Sequence, residues 1–71
     1  MGPKALNAVL KHFEAEKEKA EATLIIFANN PMGVGGHPDI VDDLIKVVEN
    51  LSRAEGGIAI TKNLLASNKK K

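Results

Sequence analysis

Asn29-Asn30-Pro31-Met32-Gly33-Val34-Gly35-Gly36-His37-Pro38-Asp39 divides the 71-residue chain near its middle. The stretch holds three of the six glycines and two of the three prolines. Pro31 has no N–H and disfavours the α conformation at Asn30, so a helix arriving from the N-terminal side should stop near Asn29. Asn29 or Asn30 can cap it in the left-handed conformation. Gly33, Gly35 and Gly36 let the chain turn sharply. Pro38 suits the first turn of a new helix, and Asp39, Asp42 and Asp43 then lie at the positive end of its dipole. The residues Asn30, Pro31, Gly33, Gly35, Gly36, His37 and Pro38 therefore read as a structural corner spanning 30–37 and the start of the next helix.

Working back from the corner, Pro3 can open a first helix over about 3–29. Leu6, Leu10, Phe13, Lys17, Ala20, Leu24 and Phe27 alternate spacings of four and three, a heptad seam with one polar member. Lys11, Glu14, Glu16, Glu18, Lys19 and Glu21 lie between them as a charged, solvated face.

Working forward, Val41, Leu44, Val48, Leu51, Glu55, Ile58, Lys62 and Leu65 repeat that rhythm with two polar members, Glu55 and Lys62. A second helix over about 38–66 is expected, weakened or bent at Gly56-Gly57, because each helical glycine costs about 1 kcal/mol relative to alanine. Residues 67–71 are expected to fray as a basic tail. Folding the helices back antiparallel sets Phe27 opposite Val41, Ala20 opposite Val48 and Phe13 opposite Glu55. Lys17 and Glu55 then lie about one turn apart and can form an ion pair that helps fix the alignment, with little net stability.

The expected fold is all-α, an antiparallel helical hairpin in a single domain. An α/β alternative rests on Thr23-Leu24-Ile25-Ile26-Phe27 and Ile58-Ala59-Ile60-Thr61, both rich in β-branched residues. Two short strands would leave a parallel sheet uncovered within one chain.

Composition narrows the function. No cysteine, tryptophan or tyrosine is present, and Phe13 and Phe27 are the two phenylalanines. Stacking on bases is thus poorly supported. The formal net charge is +1. Lys69, Lys70 and Lys71 supply three of the positive charges, so residues 1–68 carry 1 − 3 = −2. Nucleic acid is not an expected partner, the lysine tail being the one basis for an accessory role there. No apolar run is long enough for a membrane span, and the N-terminus shows no signal-peptide core, so a cytoplasmic location is expected.

No catalytic set recommends itself, and an enzyme is not expected. Ser52 and Ser67 are the two serines, and neither lies near a histidine in sequence. Gly33-Val34-Gly35-Gly36 ahead of a helix could cradle a phosphate or small ligand on its N–H groups. Against this, no Lys or Arg occurs between Lys19 and Lys46, and three aspartates crowd that helix start. His37 with Asp39, Asp42 and Asp43 could hold a divalent cation. Helix capping explains the same residues, and neither a cofactor nor a metal is expected.

The seams leave apolar residues over. Val9, Ile25, Ile26, Ile40, Ile45, Val47, Ile60 and Leu64 lie beside or away from them. A hairpin has one internal interface, so this surplus implies a partner. Two hairpins joined as a four-helix bundle are the simplest solution, and a homodimer is expected. The interaction surface is placed on Val9, Ile25, Ile26, Ile45, Val47, Ile60 and Leu64.

The corner, with Ile40 to Glu55 after it, resembles a pattern in small uncharacterised proteins of large tailed bacteriophages. Those have Asn-Asn-Pro-x-Gly-x-Gly, an acidic residue, then His and an acidic helix start; here Gly36 stands at the acidic position. The resemblance covers about half the chain. It implies a phage accessory protein, inside a host cell, with no assigned activity and no site residue to carry over.

Overall fold

The structure, a computed structural model, describes residues 2–29 and 40–69, the last by its backbone alone. The corner residues Asn30, Pro31, Gly33, Gly35, Gly36, His37 and Pro38 lie outside the described residues, as do Asp39, Lys70 and Lys71. Two helices make up the fold, α1 (Pro3–Asn29) and α2 (Ile40–Lys69). They pack along each other as a hairpin 55 Å long and about 15 Å across.

α1 begins where its sequence permits. Pro3 takes the first helical position, and the carbonyl of Gly2 accepts the N–H of Leu6 at 3.2 Å. Its least exposed residues include Leu6, Leu10, Phe13, Lys17, Ala20, Leu24 and Phe27, the seam read from the sequence. Asp42 and Asp43 occupy the first turn of α2, where the dipole favours them.

The α2 seam differs from the sequence reading in every second member. Leu44, Leu51, Ile58 and Leu65 turn inward, but their companions are Ile40, Val47, Ala54 and Thr61. Val41, Val48, Glu55 and Lys62, one residue further on, are exposed. The inner row therefore carries no charge. Small residues are among the most deeply buried: Ala54 is 1% exposed, Thr61 3% and Ala20 5%. Leu6, at 4%, is the one large apolar side chain buried to that degree among the described residues. Turning Val41 and Val48 inward would bring Glu55 and Lys62, of the same row, into the interface with them.

No strand occurs among the described residues, which removes the α/β alternative. Thr23–Phe27 and Ile58–Thr61 lie inside α1 and α2. Their threonines are accommodated by bonding back one turn. Thr23 Oγ1 donates to the Lys19 carbonyl at 2.9 Å, and Thr61 Oγ1 to the Gly57 carbonyl at 2.7 Å. Burying Thr61 thus leaves its hydroxyl satisfied.

α2 runs unbroken through Gly56 and Gly57 and on to Lys69, past the expected fraying point at Ser67. The two glycines have different surroundings. A Cβ at Gly56 would meet nothing within 4 Å, whereas one at Gly57 would lie 2.6 Å from Cγ, Cδ1 and Cδ2 of Phe13. Gly57 is the shelf on which the Phe13 ring rests, and the His12 ring stands nearly perpendicular to that ring at 5.0 Å between centroids. Both alanine variants gain the same helix propensity, about 1 kcal/mol. Gly56→Ala should therefore stabilise by about that amount. Gly57→Ala should fall below it by roughly 1–3 kcal/mol, the range for overpacking. Urea titration of the pair reads the difference directly, and equal midpoints would contradict the shelf.

Candidate functional site: two unpartnered faces

Side chains that flank the interface divide into two sides, each marked by a contact between the helices. On one side Lys17 Nζ approaches Glu55 Oε2 at 3.9 Å. Both groups are substantially exposed, so the pair helps alignment more than stability. On the other side a cleft of about 60 Å³ is lined by Glu16, Lys19, Ala20 and Thr23 of α1 and Val47 and Asn50 of α2. Arg53 Nη2 donates to Asn50 Oδ1 at 3.4 Å on that side.

Helical periodicity, 100° per residue, assigns the remaining apolar side chains. Val41 and Val48 stand two heptads and one heptad before Glu55, and Ile45 lies beside them. All belong to the ion-pair side, as does Ile25 on α1. Val9 is one heptad before Glu16, Ile26 one heptad after Lys19, and Leu64 two heptads after Asn50. These belong to the cleft side, with Ile60. The ion-pair side is thus apolar near the corner, and the cleft side is apolar mainly toward the open end.

Six of the seven residues placed on the interaction surface are exposed: Val9, Ile25, Ile26, Ile45, Ile60 and Leu64. Val47 is corrected, because it is half-buried in the inner row and lines the cleft. Ile40 turns inward for the same reason. Val41 and Val48 take their place outside, at 65% and 54% exposure. Their position was legible in the sequence, since the row that holds them continues as Glu55 and Lys62.

Chemistry is sparse along the described residues. No group of three or more His, Asp or Glu that could hold a metal ion occurs among them. His37 and Asp39, which the metal reading needs, lie outside them, as does the glycine-rich phosphate cradle. A recess of about 350 Å³ at the open end is lined by Pro3, Asn7, Leu65 and Asn68, without an acid or base. No described helix is long and apolar enough to cross a membrane. No protein-family model, curated protein or solved structure matches the chain.

Proposed function

We propose that the chain is a non-enzymatic helical interaction module whose first partner is a second copy of itself. The observation that carries this reading is the imbalance between inside and outside. Eight large aliphatic side chains are 41–65% exposed: Val9, Ile25, Ile26, Val41, Ile45, Val48, Ile60 and Leu64. Leu6 is the one comparable side chain below a tenth exposed among the described residues. Two helices have a single seam, and small domains commonly rely on assembly, metals or disulfides for support. A disulfide is ruled out by the lack of cysteine.

Magnitudes set the expected affinity. Covering the exposed half of a branched aliphatic side chain contributes roughly 1 kcal/mol. A dimer that covers four on each copy gains roughly 8 kcal/mol, against an association cost of roughly 4–15 kcal/mol. Apolar area alone therefore leaves about 4 kcal/mol at best, a millimolar complex, and complementary charge must supply the remainder of a micromolar one. Sedimentation equilibrium of the full chain tests the reading. A dimer that dissociates in the micromolar range is expected. A cooperatively melting, fully helical monomer at high micromolar concentration would refute self-association. An accessory role in a tailed phage, which the corner pattern implies, suits a module with no reaction of its own.

A further inference from the structure

We propose that the open end of the hairpin, on the ion-pair side, is a sequence-blind site for the phosphate backbone of a nucleic-acid duplex, with Lys4, Lys11 and Lys62 as its cationic contacts. The site lies apart from the apolar residues of the self-association reading and does not rest on it.

The two ends of the hairpin differ in charge. All nine acidic residues fall within 14–55 together with four of the ten basic ones, so that stretch carries 4 − 9 = −5. The other six basic residues are Lys4, Lys11, Lys62, Lys69, Lys70 and Lys71, and no Asp or Glu accompanies them, so residues 1–13 and 56–71 together carry +6. Packing α1 along α2, with Phe13 on Gly57, brings Lys4, Lys11 and Lys62 to the same end. The charge of −2 over residues 1–68, which counts against nucleic acid, averages over this separation.

These three lysines also share a side. Lys62 is one heptad after Glu55, and Lys11 and Lys4 are two and three heptads before Ile25, so all three belong to the ion-pair side. Phe13 on Gly57 and Lys17 beside Glu55 set the register, which places Lys62 level with residues 8–10, between Lys4 and Lys11. Each of the three side chains is exposed. Lys4 and Lys11 line a recess of about 430 Å³ with Pro3, Asn7 and Ala8. It shares Pro3 and Asn7 with the recess of Leu65 and Asn68, so the concave surface continues from α1 to α2. Neither recess is lined by an acid. Lys4 and Lys11 stand about 10.5 Å apart along the helix, close to the rise of three nucleotides in one strand of a duplex.

The surroundings of the lysines select the kind of polyanion. Lysine meets phosphate as a point charge and reads no base. Phe13, the phenylalanine of this end, lies in the seam on Gly57, so this side offers no platform for unpaired bases, and a duplex suits it better than a single strand. An acidic membrane surface calls for lysines around an apolar face that can be buried. Here the exposed aliphatics of the open end, Val9, Ile60 and Leu64, belong to the cleft side and the three lysines to the other.

Fluorescence anisotropy of a short labelled duplex, DNA or RNA, titrated with the full chain at several salt concentrations tests the site. Binding is expected at low salt, with log K falling linearly in log salt. Lys4→Gln/Lys11→Gln/Lys62→Gln should flatten that slope by about 2.7, or about 0.9 per phosphate contact, so the parent should lose about 40 times more affinity than the variant between about 50 and 200 mM salt. Lys19→Gln/Lys46→Gln/Arg53→Gln removes the same charge from exposed positions on the cleft side and should leave the slope unchanged. Circular dichroism should show parental helix content in both variants. Equal flattening in the two variants would assign the binding to net charge and overturn the site, as would no binding of either duplex at low salt. A slope that falls only when Lys69, Lys70 and Lys71 are deleted would move the contact to the tail and overturn it as well. Binding to phosphatidylserine–phosphatidylcholine vesicles that needs Lys4, Lys11 and Lys62, without binding to a duplex, would make the partner an acidic membrane instead.

Discussion

Leu6→Ala is expected to destabilise the chain by about 2–5 kcal/mol, the range for truncating a buried leucine. Leu6 is 4% exposed and presses against the open end of α2, in the register that brings Thr61 and Leu65 past it. The effect is large relative to the whole. A domain of 71 residues has roughly 4–11 kcal/mol of stability at about 0.05–0.15 kcal/mol per residue. Nothing nearby can refill the space, because Thr61 is held by its bond to the Gly57 carbonyl. Thermal unfolding followed by circular dichroism, at one fixed chain concentration, should show the midpoint fall by at least about 8 °C. A fall below about 3 °C would mean that the first turn of α1 frays and the seam begins at Leu10.

Ile45→Lys is the counterpart on the outside, with the opposite signature. Ile45 is half-exposed and lies amid the apolar stretch on the ion-pair side. Lysine is a better helix former than isoleucine, so the hairpin itself should keep its helix content or gain slightly. Its ammonium would have to be desolvated in a dimer, and two-fold symmetry introduces it twice. Loss of a main apolar contact costs about 2 kcal/mol or more, which corresponds to weakening of roughly thirtyfold or more. Sedimentation equilibrium should show the variant monomeric at concentrations where the parent chain is dimeric. An unchanged dimer would place the contact on Val9, Ile60 and Leu64 instead.

The hairpin was legible because its strongest signals are local. Pro3 and the Pro31–Pro38 stretch punctuate the chain, and the 3–4 spacing of Leu6 through Phe27 survives intact as the inner face of α1. The second seam was half legible for a reason that concerns size. Reading for bulk selects Val41 and Val48 and then accepts Glu55 and Lys62 as interruptions. The interface instead buries Ala20, Ala54 and Thr61 and rests Phe13 on Gly57, small residues that a search for bulk passes over. The row Ile40, Val47, Ala54, Thr61 could have been preferred on one criterion, its freedom from charge. The same error placed Val47 on the outer surface and hid Val41 and Val48. Partners are less legible still, since exposed aliphatics announce that something covers them without naming it.

The Gly57 shelf has a magnetic consequence. The position of a Cβ there is equally far, 2.6 Å, from Cγ, Cδ1 and Cδ2 of Phe13. Three vertices of a hexagon share one circumscribed circle, so a point equidistant from them stands on the ring's own axis. The glycine hydrogen that points along that direction therefore lies over the centre of the aromatic face, where the induced ring current opposes the applied field most strongly. Its proton resonance is displaced upfield, while the protons of Gly56, one residue earlier and facing open space, keep ordinary positions. Two adjacent glycines thus give the chain a built-in gauge of helix closure, one responding to the approach of α1 and the other serving as its internal reference.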